Sequence, residues 1–494
     1  MAQAGRKPQI FESTRVPLVG IPTSRQATGG AFIDKDQRFI NFLPVKYSNP
    51  LTGKETFFLI KRPGLAANST PAAGSVGTAL HVWETVGSGS TILSAFGATN
   101  STLYENTTSK GAITGRARGI SESDATGTST AVLISTDSTG WVYPTGGSLA
   151  EITDSDFPGK ASRTLVGHAV HMDGYMFVMD SVGRIYNSDL NSLTAWTANS
   201  FIAPTYYTGN GVGLARMHDS VVAITTSSVE FFVNEGATPS PLARREMIAS
   251  KVGGVLPASH GQTLSQLRDT VYFIGVSPTG GGGVYAISKY TVKKISSMVV
   301  DQQIEVAEPQ NCTLAAFKLW GMDFLVMACG TIQYLYNVEQ ELWSELAAGD
   351  AGVLWSICAG ASSGDGRVFT LSSSATTGKV YEWNTDTPVW QDDSTAYTAT
   401  IQTSKVDFET EKRKRYHKIK LLGDKQSSTC TVAISWSDDD YGTFSTARNV
   451  DMSSDRAYLS VCGIARRRAF KLTNATNTPC RLEALEFDYS LCET

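Results

Sequence analysis

Basic side chains form the densest chemical features of this sequence. Glu411-Lys-Arg-Lys-Arg-Tyr-His-Lys418 is one run, and Arg466-Arg467-Arg468 is a second. Two readings of such runs stand side by side. They lie on solvated loops or strand edges, where Lys and Arg block unwanted pairing. Alternatively, they form a docking surface for an acidic partner, protein or DNA. In a symmetric ring each cluster would recur once per subunit and multiply its field. His168-Ala-Val-His171 is the clustered histidine pair. Its segment reads as a strand, and an i, i+3 spacing puts the two rings on opposite strand faces. Shared metal ligation is therefore not expected. His81, His218, His260 and His417 stand alone, and no GxSxG, HExxH, Walker A or EF-hand pattern occurs. No catalytic, cofactor or metal residue is assigned, and an enzyme is not expected.

Ser437-Asp-Asp-Asp-Tyr441-Gly442-Thr443-Phe444 resembles the Asp-box hairpin of sialidases, with its glycine displaced by one position. There the carboxylate and hydroxyl bind the turn's own amides, so the expectation is a structural turn. Retaining glycoside chemistry needs two carboxylates ~5 Å apart, and nothing in the sequence singles out such a pair.

The elements that carry these residues read as strands. The chain has 494 residues, 41% hydrophobic and 10% aromatic, too apolar for disorder. Charged residues are 18%, below the usual ~25%. Gly, Ser and Thr are abundant while Ala/Leu/Glu/Lys-rich stretches are scarce, which suits short strands and tight turns. Helix is hardly expected; Gln310–Lys318 and Glu339–Leu346 are too short or too interrupted. A net charge of −4 excludes a globally basic nucleic-acid binder. The opening Met1 to Pro8 shows no secretory pattern, and no apolar run reaches the ~18 residues of a membrane span. The 7 cysteines are odd in number, start at Cys312 and include no CxxC. They read as reduced structural thiols in a chain folded in cytoplasm.

One pattern recurs: an apolar strand, a small turn, then a strand ending on an aromatic. It occurs at Leu93–Tyr104, Val132–Tyr143, Tyr175–Tyr186, Val221–Phe231, Val271–Tyr285, Phe324–Tyr334 and Val368–Tyr381, with final aromatics 39 to 54 residues apart. A lone hairpin cannot bury its face and must stack on copies of itself. Spacing of ~40–50 residues is that of propeller blades. The expected fold is all-β: a β-propeller of six to eight blades with a C-terminal β-sandwich-like domain. The expected division is an N-terminal arm and docking segment over 1–65, a propeller body over 66–390 and a C-terminal β domain over 391–494. Pro388 to Asp393 reads as the linker.

Several motifs, in order, resemble one family. Arg38-Phe-Ile-Asn-Phe-Leu-Pro44, then Phe57-Phe-Leu-Ile and Lys61-Arg-Pro63-Gly64-Leu65, resemble the opening of the packaged-DNA stabilisation proteins of short-tailed phages, the tail hub or nozzle proteins. Ile152-Thr-Asp-Ser-Asp-Phe-Pro-Gly159, Asp173-Gly-Tyr-Met-Phe, Ile185-Tyr-Asn-Ser-Asp-Leu190, Trp196 and Ser228-Val-Glu-Phe-Phe-Val-Asn-Glu-Gly236 follow. Ser435 to Gly442 and Gly463 to Leu472 resemble the family's last turn and strand. The chain departs from it at Ala203-Pro204-Thr205, where the family often has A-E-G-x-P-D, and over 66–150.

The resemblance implies a homohexameric ring below the head-to-tail adaptor, in the virion tail. It implies a channel passing DNA without sequence specificity, and attachment of a tail needle or plug and of tailspikes or fibers. Arg38, Phe39, Asn41, Phe42, Arg413, Lys414, Arg415, Arg466, Arg467 and Arg468 are the expected subunit or adaptor contacts, from their mix of aromatic and basic types. A propeller that binds or cleaves host glycans is the alternative. The acidic balance leads to the expectation that the ring's channel wall repels phosphate. Lys in place of acids mapped to that wall should slow DNA ejection; unchanged ejection kinetics would refute it.

Overall fold

Each repeated hairpin is a pair of neighbouring antiparallel strands, because alternation buries one face while the small turn reverses the chain. The pairs are Gly89–Phe96 with Ser101–Glu105, Thr130–Ser135 with Gly140–Pro144, Tyr175–Asp180 with Ile185–Ser188, and Ser220–Thr225 with Val229–Asn234. Thr270–Val276 pairs with Gly282–Ser288, Met322–Cys329 with Ile332–Asn337, and Val368–Ser372 with Val380–Trp383. The computed structural model describes residues 12–19, 37–48, 55–85, 89–258, 261–347, 357–372, 377–383 and 389–492. Met1 to Pro8 and Pro388 lie outside the described residues.

The chain forms two compact units. The first comprises residues 66–341 and 352–385 and is a β-propeller. Six sheets of four or five strands stand separately there, and Cys312–Leu319, Met322–Cys329 and Ile332–Asn337 form a further meander. Both counts fall within the expected range. The repeated aromatic has a physical reason, since it wedges between sheets. Tyr143 packs with Trp83, Leu93 and Leu103 of the preceding sheet, and Tyr186 packs with Ile134, Val142 and Phe157. Tyr285 joins Val222 and Phe231. Tyr104 packs on Phe369, Leu371 and Val380 of the last sheet, which closes the ring. Leu65–Ser69 adds the outer strand to that same sheet, so the chain's entry into the propeller latches its end.

The second unit comprises residues 1–65, 342–351 and 386–494. It is a β-sandwich. One sheet runs Phe42–Ser48, Glu55–Lys61, Arg481–Leu491, Lys414–Gly423, Tyr458–Ser460; Glu12–Pro17 and Ile464–Ala465 pair onto it. The other runs Leu342–Leu346, Arg38–Ile40, Ala399–Gln402, Ala469–Asn474, Thr431–Ser437, Arg448–Asp451. Phe42, Leu59, Ile401, Ile419, Ile434, Phe470, Leu472 and Phe487 fill the space between. The division therefore differs from the three successive segments expected from sequence. The described parts of 1–65 are strands of the sandwich, held by non-local pairing such as Phe39 opposite Ile401 and Leu59 opposite Leu482.

Helix is scarce, as expected, while the reading of the cysteines as reduced thiols needs correction. A ten-residue helix, Met298–Ala307, buries Val300 and Ile304 one turn apart. Cys312 and Cys329 are register partners on adjacent strands and form a disulfide. The other five cysteines are free thiols.

A buried polar knot ties the sandwich together. The Arg62 guanidinium donates to both oxygens of Asp392, at 2.9 and 2.6 Å, and both side chains are fully buried. Its Nε donates to Asn41 Oδ1 at 2.9 Å, and it stacks 3.9 Å from the Tyr397 ring centroid. Asn41, itself fully buried with φ +59°, donates from Nδ2 to Ala347 O and Thr398 O, each at 2.9 Å. Gly64 is required nearby, since a Cβ there would sit 2.0 Å from Gln391 O. Removing one member of a buried ion pair strands the other charge. Asp392→Ala is expected to cost the sandwich about 3–5 kcal/mol, and the apolar double replacement Arg62→Met/Asp392→Leu far less. Urea unfolding of both variants, followed by Trp fluorescence, checks this.

Candidate functional site

The two basic runs converge in the sandwich unit. Lys414 and Arg415 lie on Lys414–Gly423, paired with Ala465 and Ile464 of the next strand. That register brings the runs into contact although fifty residues separate them. The basic side chains then divide into two kinds.

Arg468 is structural. It is 1% exposed, its Nε and Nη2 reach Asp438 at 2.6 and 2.9 Å, and its Nη1 donates to Cys462 O at 2.6 Å. The Tyr416 and Trp436 rings lie 4.4 and 4.9 Å from its guanidinium carbon. Lys414 is also buried, and its ammonium donates to Thr410 O and Arg466 O. It ties the 408–413 loop to the 464–467 segment, and burial pushes its pKa down. Arg467 is exposed but paired with Asp440 at 2.6 Å.

Arg413, Arg415 and Arg466 are different. All three are exposed, and among the described residues none has an ion-pair partner. They surround an open groove of about 810 Å³ with Thr410, Glu411, Lys412, Ile464 and Cys492. A contiguous hollow of about 600 Å³ adds Asp438 and Arg467. Ile464 is itself exposed, as are Val461 nearby in sequence and Leu491, the register partner of Lys414. Free guanidiniums beside exposed aliphatic surface suit an anionic partner with an apolar element.

The remaining expected contact residues serve the unit itself. Arg38 forms a two-pronged pair with Glu345 at 2.8 and 2.6 Å. Phe39 packs against the sandwich core, Phe42 lies within it, and Asn41 is the amide of the buried knot. Phe42, Asn41, Lys414 and Arg468 are thus withdrawn from the surface, a correction to their reading as contacts. Strand pairing buries them, and that pairing joins residues too distant in sequence to be read as neighbours.

The Asp-rich turn is structural, as expected, and it does more. Asp439 accepts from Thr443 Oγ1 at 2.6 Å, Thr443 N at 2.9 Å and Ser437 Oγ at 2.7 Å. Asp438 and Asp440, on either side, neutralise Arg468 and Arg467. Three consecutive aspartates therefore hold the turn and two arginines of the groove wall. The sequence signal for this was the charge match between Asp438–Asp440 and Arg466–Arg468. His168 and His171 lie on Leu165–Met172 and do not converge. Among the described residues, no group of three or more His, Cys, Asp or Glu is placed to hold a metal. Among them, no helix is long and apolar enough to cross a membrane.

The phage-stabilisation family described as bacteriophage P22 Gp10, beta-propeller, matches residues 27–365. The chain belongs to this family. It is thus a phage β-propeller protein of packaged-DNA stabilisation, and the family is one of structural proteins. No curated protein matches the chain. Among solved structures, BamB from Moraxella catarrhalis aligns at 13% identity and a TM-score of 0.38, over 71% of this chain and 98% of that one. Chaetomium thermophilum Raptor aligns at 10% identity and a TM-score of 0.41, over 66% and 29%.

The Asp439 turn makes a pH prediction. Hydrogen bonds from Thr443, then Ser437, hold its carboxyl at about 2, against an ordinary 3.8. A carboxylate depressed in the folded state contributes stability above its unfolded value and loses it as pH falls through the folded one. The contribution is complete above about pH 4 and is lost toward pH 2. Asp439→Asn should flatten the pH dependence of the urea midpoint over that window; parallel profiles for variant and wild type would refute it.

Proposed function

We propose that the protein is a tail hub, or nozzle, subunit of the phage virion. In this reading it folds in the host cytoplasm and assembles as a homohexameric ring beneath the head-to-tail adaptor. The ring extends the DNA channel, retains the packaged genome and passes it at ejection. A needle or plug and tailspikes or fibers attach to it. The observation that carries the reading is the groove bounded by Arg413, Arg415 and Arg466 on a chain of the packaged-DNA stabilisation family. Among the described residues those guanidiniums have no ion-pair partner, whereas Arg468, Lys414 and Arg467 are consumed in holding the groove's shape. A rim of free charges steers encounter with an oppositely charged partner and makes association salt-sensitive. The adaptor, or the neighbouring subunit, is the partner assigned to this face.

The test is assembly. Arg413→Glu/Arg415→Glu/Arg466→Glu should leave the unfolding midpoint unchanged, since all three side chains are exposed. It should lower recruitment to DNA-filled, tail-less capsids at least tenfold, and weaken any ring seen by native mass spectrometry. Normal incorporation of this variant into virions would overturn the assignment of the groove.

A further inference from the structure

Strands of the propeller sheets converge on an open cavity of about 370 Å³. It is lined from Gly77–Thr85, Ala117–Ser123, Leu165–Met172, Leu264–Leu267, Cys312–Leu319 and Ile357–Ser362, which are the innermost strands of six different sheets. A volume of that size corresponds to about a dozen waters at ~30 Å³ each. Much of the wall is small or apolar, including Ala79, Leu80, Gly119, Ala315, Ala316 and Gly360. A Cβ on Gly119 would stand 3.0 Å from the His168 Cβ, so the strands approach one another closely here.

Charge in this cavity is one-sided. Among the described residues that line it, none is a carboxylate, and Arg118 supplies the permanent charge. The polar neighbours are engaged elsewhere. Gln262 donates to the Arg118 carbonyl, Ser121 donates to Ala169 O, and Gln266 is held by Arg216 N and Arg268 O. His81 pairs with Glu122, which lies behind it at 3.1 Å. Burial pushes His168 down to about 4, so it is neutral at pH 7. Arg118 Nε is buried with no hydrogen-bond partner. Burial, and then the nearby Arg116, make its charged form less favourable. A guanidinium does not surrender its proton in proteins, and a half-buried cation with no counter-charge among the described residues around it carries a desolvation cost. The planar fork matches two oxygens of a tetrahedral anion.

We propose that this axial cavity of the propeller binds a small free oxyanion, phosphate or sulfate, through Arg118. The anion would supply the counter-charge that the described residues lining the cavity lack and would clamp strands of several sheets. Its binding stabilises the propeller by linkage, because the unfolded chain has no such site. This inference does not depend on the groove of the sandwich, and its test does not involve tail assembly.

The test uses the purified full chain at constant ionic strength, with chloride exchanged for inorganic phosphate. The thermal midpoint should rise with phosphate, and the ³¹P resonance of phosphate should broaden and then sharpen when sulfate is added. Arg118→Gln should melt at or above the wild type in chloride alone and should bind phosphate at least tenfold more weakly. Should that variant fail to fold, Arg118→Lys keeps the charge, loses the fork and should weaken binding at least threefold. A midpoint that responds equally to phosphate and chloride, an unbroadened ³¹P signal, or equal phosphate affinity in wild type and variant would each overturn the proposal.

Discussion

A fully buried guanidinium has to be met on all sides, and the sandwich unit depends on how Arg62 is met. Its partners come from far-separated parts of the chain: Asn41, Ala347, Asp392 and Tyr397. Asp392 also accepts from Leu65 N at 3.1 Å, so one carboxylate holds both the charge and the strand that leaves for the propeller. Such a pair is not an obvious source of net stability, because desolvation offsets much of its attraction. What it contributes is geometry. A bidentate pair, an amide with four partners and a stacked ring admit few alternatives, so the N-terminal strands, the 342–347 segment and the C-terminal domain have one way to meet.

The groove follows the same logic at the surface. Arg468 is sandwiched between two rings and held by Asp438, which fixes the segment that carries Arg466 and Arg467. Lys414 bridges the facing loop. Two buried cations therefore set the position of three exposed ones. The unit separates charges that build the wall from charges left for a partner, and the two kinds alternate along the chain at Arg413, Lys414 and Arg415, where the strand Lys414–Gly423 begins. Side chains of opposite pleat meet opposite surroundings, so alternation divides a uniformly basic run into two functions.

The propeller's stability is distributed differently. Among the described residues no single polar centre recurs from sheet to sheet. Instead, an aromatic near the end of a third strand fills the gap to the preceding sheet, as at Tyr104, Tyr143, Tyr186 and Tyr285. Each such contact joins neighbours, the contact of Tyr104 with the last sheet closes the ring, and Leu65–Ser69 adds an outer strand to that sheet. The central cavity is the inner counterpart of this arrangement, where small residues let the first strands crowd together and Arg118 remains.

Local pattern alone determined the strand hairpins, their repetition and the all-β class, because alternation and turn chemistry act over a few residues. The Asp439 turn was legible for the same reason, its hydrogen bonds spanning Ser437 to Thr443. The family motifs marked Asn41 and Pro63-Gly64-Leu65 before their use was visible, and structure explains them as members or neighbours of the buried knot. Tertiary structure alone decided which basic residues are free. Arg466, Arg467 and Arg468 are identical in type and adjacent in sequence, yet one is exposed with no ion-pair partner among the described residues, one is paired at the surface and one is buried. The same holds for the inclusion of the described parts of 1–65 in the sandwich, the Cys312–Cys329 bond and the lack of a carboxylate among the described residues that line the cavity at Arg118. Each depends on which distant strand lies alongside, and that register is set by packing of whole faces rather than by the residues it brings together.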